Sequence, residues 1–296
     1  MRQHSLRQPS ENYCEVNGAR LCWFEWGEAT AEPTILLVHA TGFHARCWDQ
    51  VIAHLKGRHV LSLDLRNHGR SAKGAAVGWD VYCSDLTEFI QVRNLSNIVL
   101  AGHSMGGYCV VNALVKVGDQ IERAVLVDPV VMDPSIYGQS TNLHEAFLNE
   151  EAEHPVARRR NQFVDAEAMF KNFEGRGSYA SWTKEALRDY CEYGLLPDDE
   201  TGEFKLACPP GLEASIYMGS QSQPIYGKFS QVEVPVTVLR AKRVEVRTTM
   251  DFTLSPTWPA LADQFANGRD VYLPELTHFM PMQAPELVAG YILGNR

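Results

Sequence analysis

Apolar residues fall along this chain in short unbroken runs set between longer amphipathic stretches. Residues 35–38 and 97–101 have the length and continuity of a buried strand, and residues 60–64, 124–127, 236–239 and 270–273 also read as strands. Between them, residues 45–55, 79–92, 108–116, 259–265 and 285–293 read as helices. Alternation of this kind predicts a mostly parallel sheet with helices on both faces. Ahead of it, residues 13–16 and 20–26 read as two strands joined by Asn17-Gly18, a strong two-residue hairpin signal. Residues 1–11 are polar and read as a loose arm.

The rhythm changes between about Asp133 and Ser230. Runs of strand character become few and charges many, and residues 144–153, 157–173 and 179–193 look helical. Pro197, Pro209, Pro210, Gly211 and Pro224 interrupt them. This stretch reads as a mostly helical insertion, so that residues 1–132 and 231–296 form the core and 133–230 a lid over the carboxyl edge of the sheet.

Where the run ending at Ala101 meets the helix after Gly107, the chain reads Gly102-His103-Ser104-Met105-Gly106. This G-x-S-x-G pattern between a strand and a helix is that of a nucleophile elbow. An abrupt strand-to-helix turn brings the residues two before and two after the serine together, so neither tolerates a large side chain. The serine is then held in a strained conformation at the tip, above a helix N-terminus. The residue that follows it, Met105, is positioned to offer its backbone N–H to an oxyanion.

Composition narrows the class. The 296 residues are 45% hydrophobic and 21% charged, which suits a globular protein with one large α/β core. A net charge of −9 with scattered Lys and Arg argues against a nucleic-acid or anionic-membrane partner. Arg158-Arg159-Arg160 is the exception, and reads as a solvated helix face pairing with Glu150, Glu151 and Glu153. Seven cysteines without a C-x-x-C pair read as reduced thiols in a cytoplasmic protein. No apolar run is long enough to span a membrane, and the N-terminus lacks the apolar segment of a signal peptide. No metal-site or nucleotide fingerprint is present, so no cofactor and no metal are expected.

Four motifs in order carry a resemblance: His39-Ala40-Thr41-Gly42-Phe43, Asp64-Leu65-Arg66-Asn67-His68-Gly69-Arg70-Ser71, the elbow itself, and Thr277-His278-Phe279-Met280-Pro281-Met282. Together they make the chain resemble an α/β-hydrolase with a cap domain, over nearly its whole length. Ala40 and Asn67 stand where that family usually has glycine. The resemblance implies a mostly parallel eight-stranded sheet, with the helical cap inserted before the strand at 236–239. It implies His278 as general base, and by register the Thr41 N–H as second oxyanion donor, with Gly42 as fallback. His39, His68 and His103 are expected to anchor loops.

For the acid the usual family register lands on Val244, which cannot serve. Three carboxylates remain open. Asp128 ends the strand after the elbow helix, at the family's alternative location, and is preferred; Glu245 lies one residue off the usual register; Asp251 lies near the usual spacing before His278. The expected activity is hydrolysis of a small or medium carboxylic ester or lactone with an apolar portion, through an acyl-enzyme on Ser104. Carbon–carbon bond hydrolysis or peracid formation by the same triad, and a non-catalytic ligand-binding role, are the alternatives. A homodimer is left open.

Overall fold

Ile35 and Leu37 face one side of the sheet and Leu36 and Val38 the other, all fully buried. The same division holds for Ile98 and Leu100 against Val99 and Ala101, and for Ala124 and Leu126 against Val125 and Val127. That is why these strands read as continuous apolar runs: a period of two with both faces covered leaves no polar position.

The computed structural model describes residues 8–137, 153–220, 226–243 and 251–296. Strands β1 (Ser10–Val16), β2 (Ala19–Trp26), β3 (Thr34–Val38), β4 (Val60–Leu63), β5 (Ile98–His103), β6 (Ile121–Val127), β10 (Val236–Ala241) and β11 (Gly268–Leu273) form one eight-stranded sheet. Their order is β1-β2-β4-β3-β5-β6-β10-β11. The β1–β2 and β2–β4 pairs are antiparallel and every other pair is parallel. The β1–β2 hairpin turns on Asn17 and Gly18, both at positive φ (46° and 71°), as a two-residue primed turn demands.

Helices α2 (Trp79–Val92) and α3 (Met105–Val117) cover one face of the sheet. On the other face lie a 3₁₀ turn over Ala45–Trp48 running into the short α1 (Asp49–Ile52), and the closing helices α8 (Met280–Gln283) and α9 (Pro285–Ile292). Helix α4 (Pro134–Tyr137) follows β6. The expected helix at 259–265 is only a 3₁₀ turn, Ala262–Gln264, which ends where Phe265 turns to extended backbone (φ −94°, ψ 141°) ahead of β11.

Between β6 and β10 the chain adds no strand to this sheet. It builds a small antiparallel sheet of its own, β7 (Gln162–Phe163), β9 (Phe204–Leu206) and β8 (Leu195–Pro197) in that order, which the mostly helical expectation missed. Strands of two or three residues carry no readable period. The long helices expected here are divided by new caps: Asp165 accepts the Ala168 N–H (2.7 Å) to start α5 (Ala166–Phe173), and Thr183 accepts the Ala186 N–H (3.2 Å) to start α6 (Lys184–Tyr193). Pro210 begins α7 (Pro210–Met218), since proline suits the first turn of a helix. The helix expected at 144–153 lies, but for its last residue, outside the described residues.

Phe163, Phe170, Trp182, Leu187 and Tyr190 of this segment share one core with Ala40 and Phe43, just past β3, and with Phe279 and Met282, past β11. The segment therefore packs over the carboxyl end of the sheet, where the loops after β3, β5, β6 and β11 converge. Its attachment is polar as well as apolar. Trp79 Nε1 donates to the Ile216 carbonyl (2.8 Å), and the Thr183 N–H donates to the Met282 carbonyl (3.0 Å).

Candidate active site

Ser104 sits between β5 and α3 with φ 57° and ψ −118°, a conformation that a non-glycine residue adopts only when its surroundings impose it. The flanking glycines show what imposes it. A Cβ on Gly102 would stand 2.4 Å from the Gly106 carbonyl oxygen, and one on Gly106 would stand 2.4 Å from that of Val38. So Gly102 meets Gly106 as expected, while Gly106 meets the neighbouring strand β3. The Ser104 N–H donates to the Val127 carbonyl (3.1 Å), and its own carbonyl accepts the N–H groups of Tyr108 and Val130 (3.1 Å each). Both sides of the elbow are thus tied to neighbouring backbone.

His278 arrives from the loop after β11. Its N–H donates to the Thr253 carbonyl (2.8 Å), and its carbonyl accepts His103 Nε2–H (2.8 Å). With the backbone fixed at both ends, the ring points Nε2 at Ser104 Oγ (3.0 Å) and Nδ1 at Asp128 Oδ2 (2.6 Å). Ser104 and His278 are each only 7% exposed and Asp128 is fully buried, so the contact is shielded from bulk water.

Asp128 follows β6 at φ 45°, with its N–H donating to the Leu239 carbonyl (2.8 Å) on the adjacent β10. Its second oxygen, Oδ1, accepts the Ala241 N–H (3.0 Å) and the Ser255 hydroxyl (2.5 Å). Thr257 Oγ1 stands 3.2 Å from the same oxygen and 2.8 Å from the Pro129 carbonyl, which must share its single proton. These donors fix which carboxylate oxygen faces His278. Nothing marks Ser255 or Thr257 in the sequence but their place in a proline-flanked turn.

The other two carboxylate candidates fall elsewhere. Glu245 lies outside the described residues. Asp251 Oδ1 accepts the N–H (2.8 Å) and hydroxyl (2.6 Å) of Thr253, the residue whose carbonyl holds the His278 backbone. Asp251 therefore shapes the turn beneath the histidine and makes no hydrogen bond with its ring.

Met105 and Thr41 are brought side by side: Thr41 Oγ1 donates to Met105 Sδ at 3.3 Å. Among the described residues, no hydrogen bond takes the backbone N–H of either, whereas the Gly42 N–H donates to His68 Nε2 (3.0 Å). That leaves the fallback donor engaged. His39 works the same way as His68, accepting the Leu65 N–H at Nε2 (3.0 Å) and donating from Nδ1 to the Ala40 carbonyl (2.7 Å). Burial holds both imidazoles below the usual histidine range, and does so to His103 too, with His278 adding to the effect. All three are neutral hydrogen-bonding struts.

Asp64 completes the frame, with Oδ1 accepting the Ala45 N–H (2.6 Å) and Oδ2 the Arg70 N–H (2.8 Å). Gly69, at φ 48°, makes room for it, because a Cβ there would come within 2.1 Å of the carboxylate. Arg159 departs from the solvated face expected of the triple arginine. It is drawn in against Glu213, Tyr179 and Tyr190. Among the described residues no helix is long and apolar enough to cross a membrane, and no three His, Cys, Asp or Glu side chains gather to hold a metal ion.

Comparison with known proteins gives the chain hydrolase relatives. The chain is 25% identical over 275 residues to (E)-2-((N-methylformamido)methylene)succinate hydrolase of Acinetobacter baylyi, covering 90% of each chain. It is 38% identical over 88 residues to an sn-1-specific diacylglycerol lipase of Danio rerio, a stretch that is 30% of this chain and only 27% of that lipase. Among solved structures, that of E-2-(acetamidomethylene)succinate hydrolase superposes with a TM-score of 0.73 at 20% identity, over 97% of this chain and 98% of that one. A thioesterase domain from the curacin biosynthetic pathway superposes with a TM-score of 0.74 at 16% identity, over 97% and 100%. The family model described as alpha/beta hydrolase matches residues 35–290, from the third strand through most of the closing helix, and the chain belongs to that family.

Proposed function

We propose that the chain is a serine hydrolase that cleaves a carboxylic ester or lactone. The observation that carries this reading is the pair of distances from His278, 3.0 Å to Ser104 Oγ and 2.6 Å to Asp128 Oδ2, at a strained strand-to-helix turn. Ser104 Oγ attacks the acyl carbonyl while His278 Nε2 takes its proton. Asp128 orients the imidazole and stabilises its cationic form. The N–H groups of Met105 and Thr41 receive the oxyanion. His278 returns the proton to the leaving alkoxide, leaving an acyl-enzyme, and a water deprotonated by His278 then releases the acid.

Residues 133–230 serve in this reading as the lid. Phe43, Trp182, Tyr190 and Phe279 form an edge-to-face and stacked aromatic group beside His278, which suits an acyl or leaving group with an apolar portion. All seven cysteines are free thiols and six are buried, in keeping with a reducing, cytoplasmic setting. A second reading, hydrolysis of an N-acyl enamine that carries carboxylates, is favoured by the Acinetobacter baylyi relative, whose match spans nearly all of both chains.

A fluorophosphonate probe is expected to label the wild type at Ser104 and to leave Ser104→Ala unlabelled. Loss of p-nitrophenyl acetate turnover should accompany loss of label. Absence of label from the folded wild type would overturn the reading. A panel of acyl chain lengths, lactone ring sizes, N-acyl enamines and vinylogous diketones then separates ester, amide and carbon–carbon hydrolysis.

A further inference from the structure

Arg159 and Glu213 form a charge pair that the proposed chemistry does not use. Arg159 Nη1 donates to Glu213 Oε2 at 2.5 Å, and Nη2 donates to the hydroxyls of Tyr190 (2.9 Å) and Tyr179 (3.0 Å). Glu213, on the first turn of α7, is 4% exposed. Its other oxygen, Oε1, lies against the backbone of Gly42, where a Cβ would stand 2.3 Å from it. Gly42 has φ +77°, its N–H is held by His68, and it directly follows Thr41. The segment between β6 and β10 thus presses a carboxylate onto the loop that carries one of the two proposed oxyanion donors.

A carboxylate there has two opposing consequences. Its packing against Gly42 fixes the loop, which favours a preorganised oxyanion hole. Its charge opposes the negative charge that grows on the substrate oxygen, and burial makes that opposition stronger than it would be in water. A cation hydrogen-bonded to the same carboxylate removes the second effect and keeps the first. The two tyrosine hydroxyls hold the guanidinium where it does this.

We infer that Arg159 and Glu213 are positioning residues that brace the oxyanion loop at Gly42, with Arg159 cancelling the field of the Glu213 carboxylate at the reacting oxygen. This rests on the serine-hydrolase reading of Ser104. A different use of Arg159, docking a carboxylate on the substrate, would compete with Glu213 for the same guanidinium edge.

The test measures kcat and KM on neutral p-nitrophenyl acetate and on the anionic mono-p-nitrophenyl ester of succinic acid. Active sites are counted by end-point fluorophosphonate labelling. Arg159→Gln leaves the carboxylate uncompensated and is expected to lower kcat on the neutral ester about tenfold to a hundredfold, with KM little changed. Adding Glu213→Gln to that variant removes the charge and is expected to restore kcat to within about fivefold of wild type. Arg159→Lys keeps the charge and is expected to stay within the same range. If Arg159→Gln does not accumulate folded, the Lys variant and the double variant decide the matter.

A double variant no faster than Arg159→Gln, or a drop beyond tenfold in either the Lys or the double variant, would overturn the brace. So would a rise in KM confined to the anionic ester with kcat on the neutral ester intact, which would make Arg159 a substrate-binding residue. Wild type that neither labels nor turns over would instead remove the hydrolase reading itself.

Discussion

Asp128 Oδ2 stands 2.6 Å from His278 Nδ1 although the two residues are 150 positions apart in the chain. The contact depends on β6 and β10 being neighbours. Asp128 donates its N–H to Leu239 and accepts the Ala241 N–H, both on β10, and the same strand leads to the turn whose Ser255 hydroxyl binds the other carboxylate oxygen. The carboxylate is therefore aimed by the carboxyl ends of two paired strands, β6 and β10.

Asp128→Asn tests its role. The amide preserves shape but offers no negative charge to an imidazolium and favours the wrong tautomer. We expect kcat on p-nitrophenyl acetate to fall by about four orders of magnitude, with Asp251→Asn, measured alongside, staying within about threefold of wild type. Asp128→Asn activity within about threefold of wild type would move the orienting role to Glu245 or Asp251.

What was legible in the sequence follows from how local each signal is. The elbow needs only five consecutive residues in a strand–turn–helix setting, and His278 sits in a motif that the family resemblance positions. Asp128 was harder, because its partner lies across a strand pairing that no nearby residue announces, and Val244 stands at the usual acid position. Ser255 and Thr257 escaped notice because a hydroxyl turned toward a buried carboxylate looks, in sequence, like any turn residue. The inward path of Arg159 was hidden by its neighbours: a run of three arginines signals solvent, and only the fold shows that the middle one meets Glu213. The two- and three-residue strands β7, β8 and β9 were too short to show a period at all.

Gly106→Ala should be severe where Gly118→Ala is not. The added Cβ at position 106 would collide with backbone oxygens of Val38 and His39 at 2.4 and 2.5 Å, and backbone cannot swing aside as a side chain can. A Cβ at position 118 meets nothing within 4 Å. Thermal melts are expected to show Gly106→Ala destabilised by several kcal/mol, about the cost of overpacking a core, with fluorophosphonate labelling of any folded fraction slowed. Gly118→Ala is expected to stay within about 1 kcal/mol of wild type.

Ser255→Ala removes a hydroxyl donor from Asp128 Oδ1 and the acceptor of the Thr257 N–H (3.2 Å), and leaves the Ala241 N–H and the Thr257 hydroxyl at Oδ1. A buried carboxylate that loses one partner costs about 1–3 kcal/mol. We expect that loss in urea denaturation, together with a modest fall in kcat, because the His278 contact uses the other oxygen. An effect on kcat as large as that of Asp128→Asn would show that Ser255 itself aims the carboxylate.

The surroundings of Asp189 predict a pH dependence of stability away from Ser104 and His278. It lies on α6 facing α1, where Gln50 Nε2 donates to it at 2.6 Å, and burial followed by the nearby Asp49 charge pushes its carboxyl up to about 7. Arg46 and the Gln50 bond act the other way, and Glu185 adds slightly to the rise. Asp49 is itself pushed up to about 6 by burial, against the pull of its ion pair with Arg46. Below about pH 4 Asp189 is protonated both folded and unfolded and costs nothing. As pH rises toward 7 the unfolded chain releases that proton while the folded protein retains it, so stability is lost across this window. Asp189→Asn keeps an acceptor for Gln50 and cannot ionise. Its Tm is expected to exceed that of wild type by at least about 3 °C at pH 8, the excess shrinking toward zero as pH falls to 4. A Tm difference that did not change between those pH values would show that Asp189 carries no such linkage.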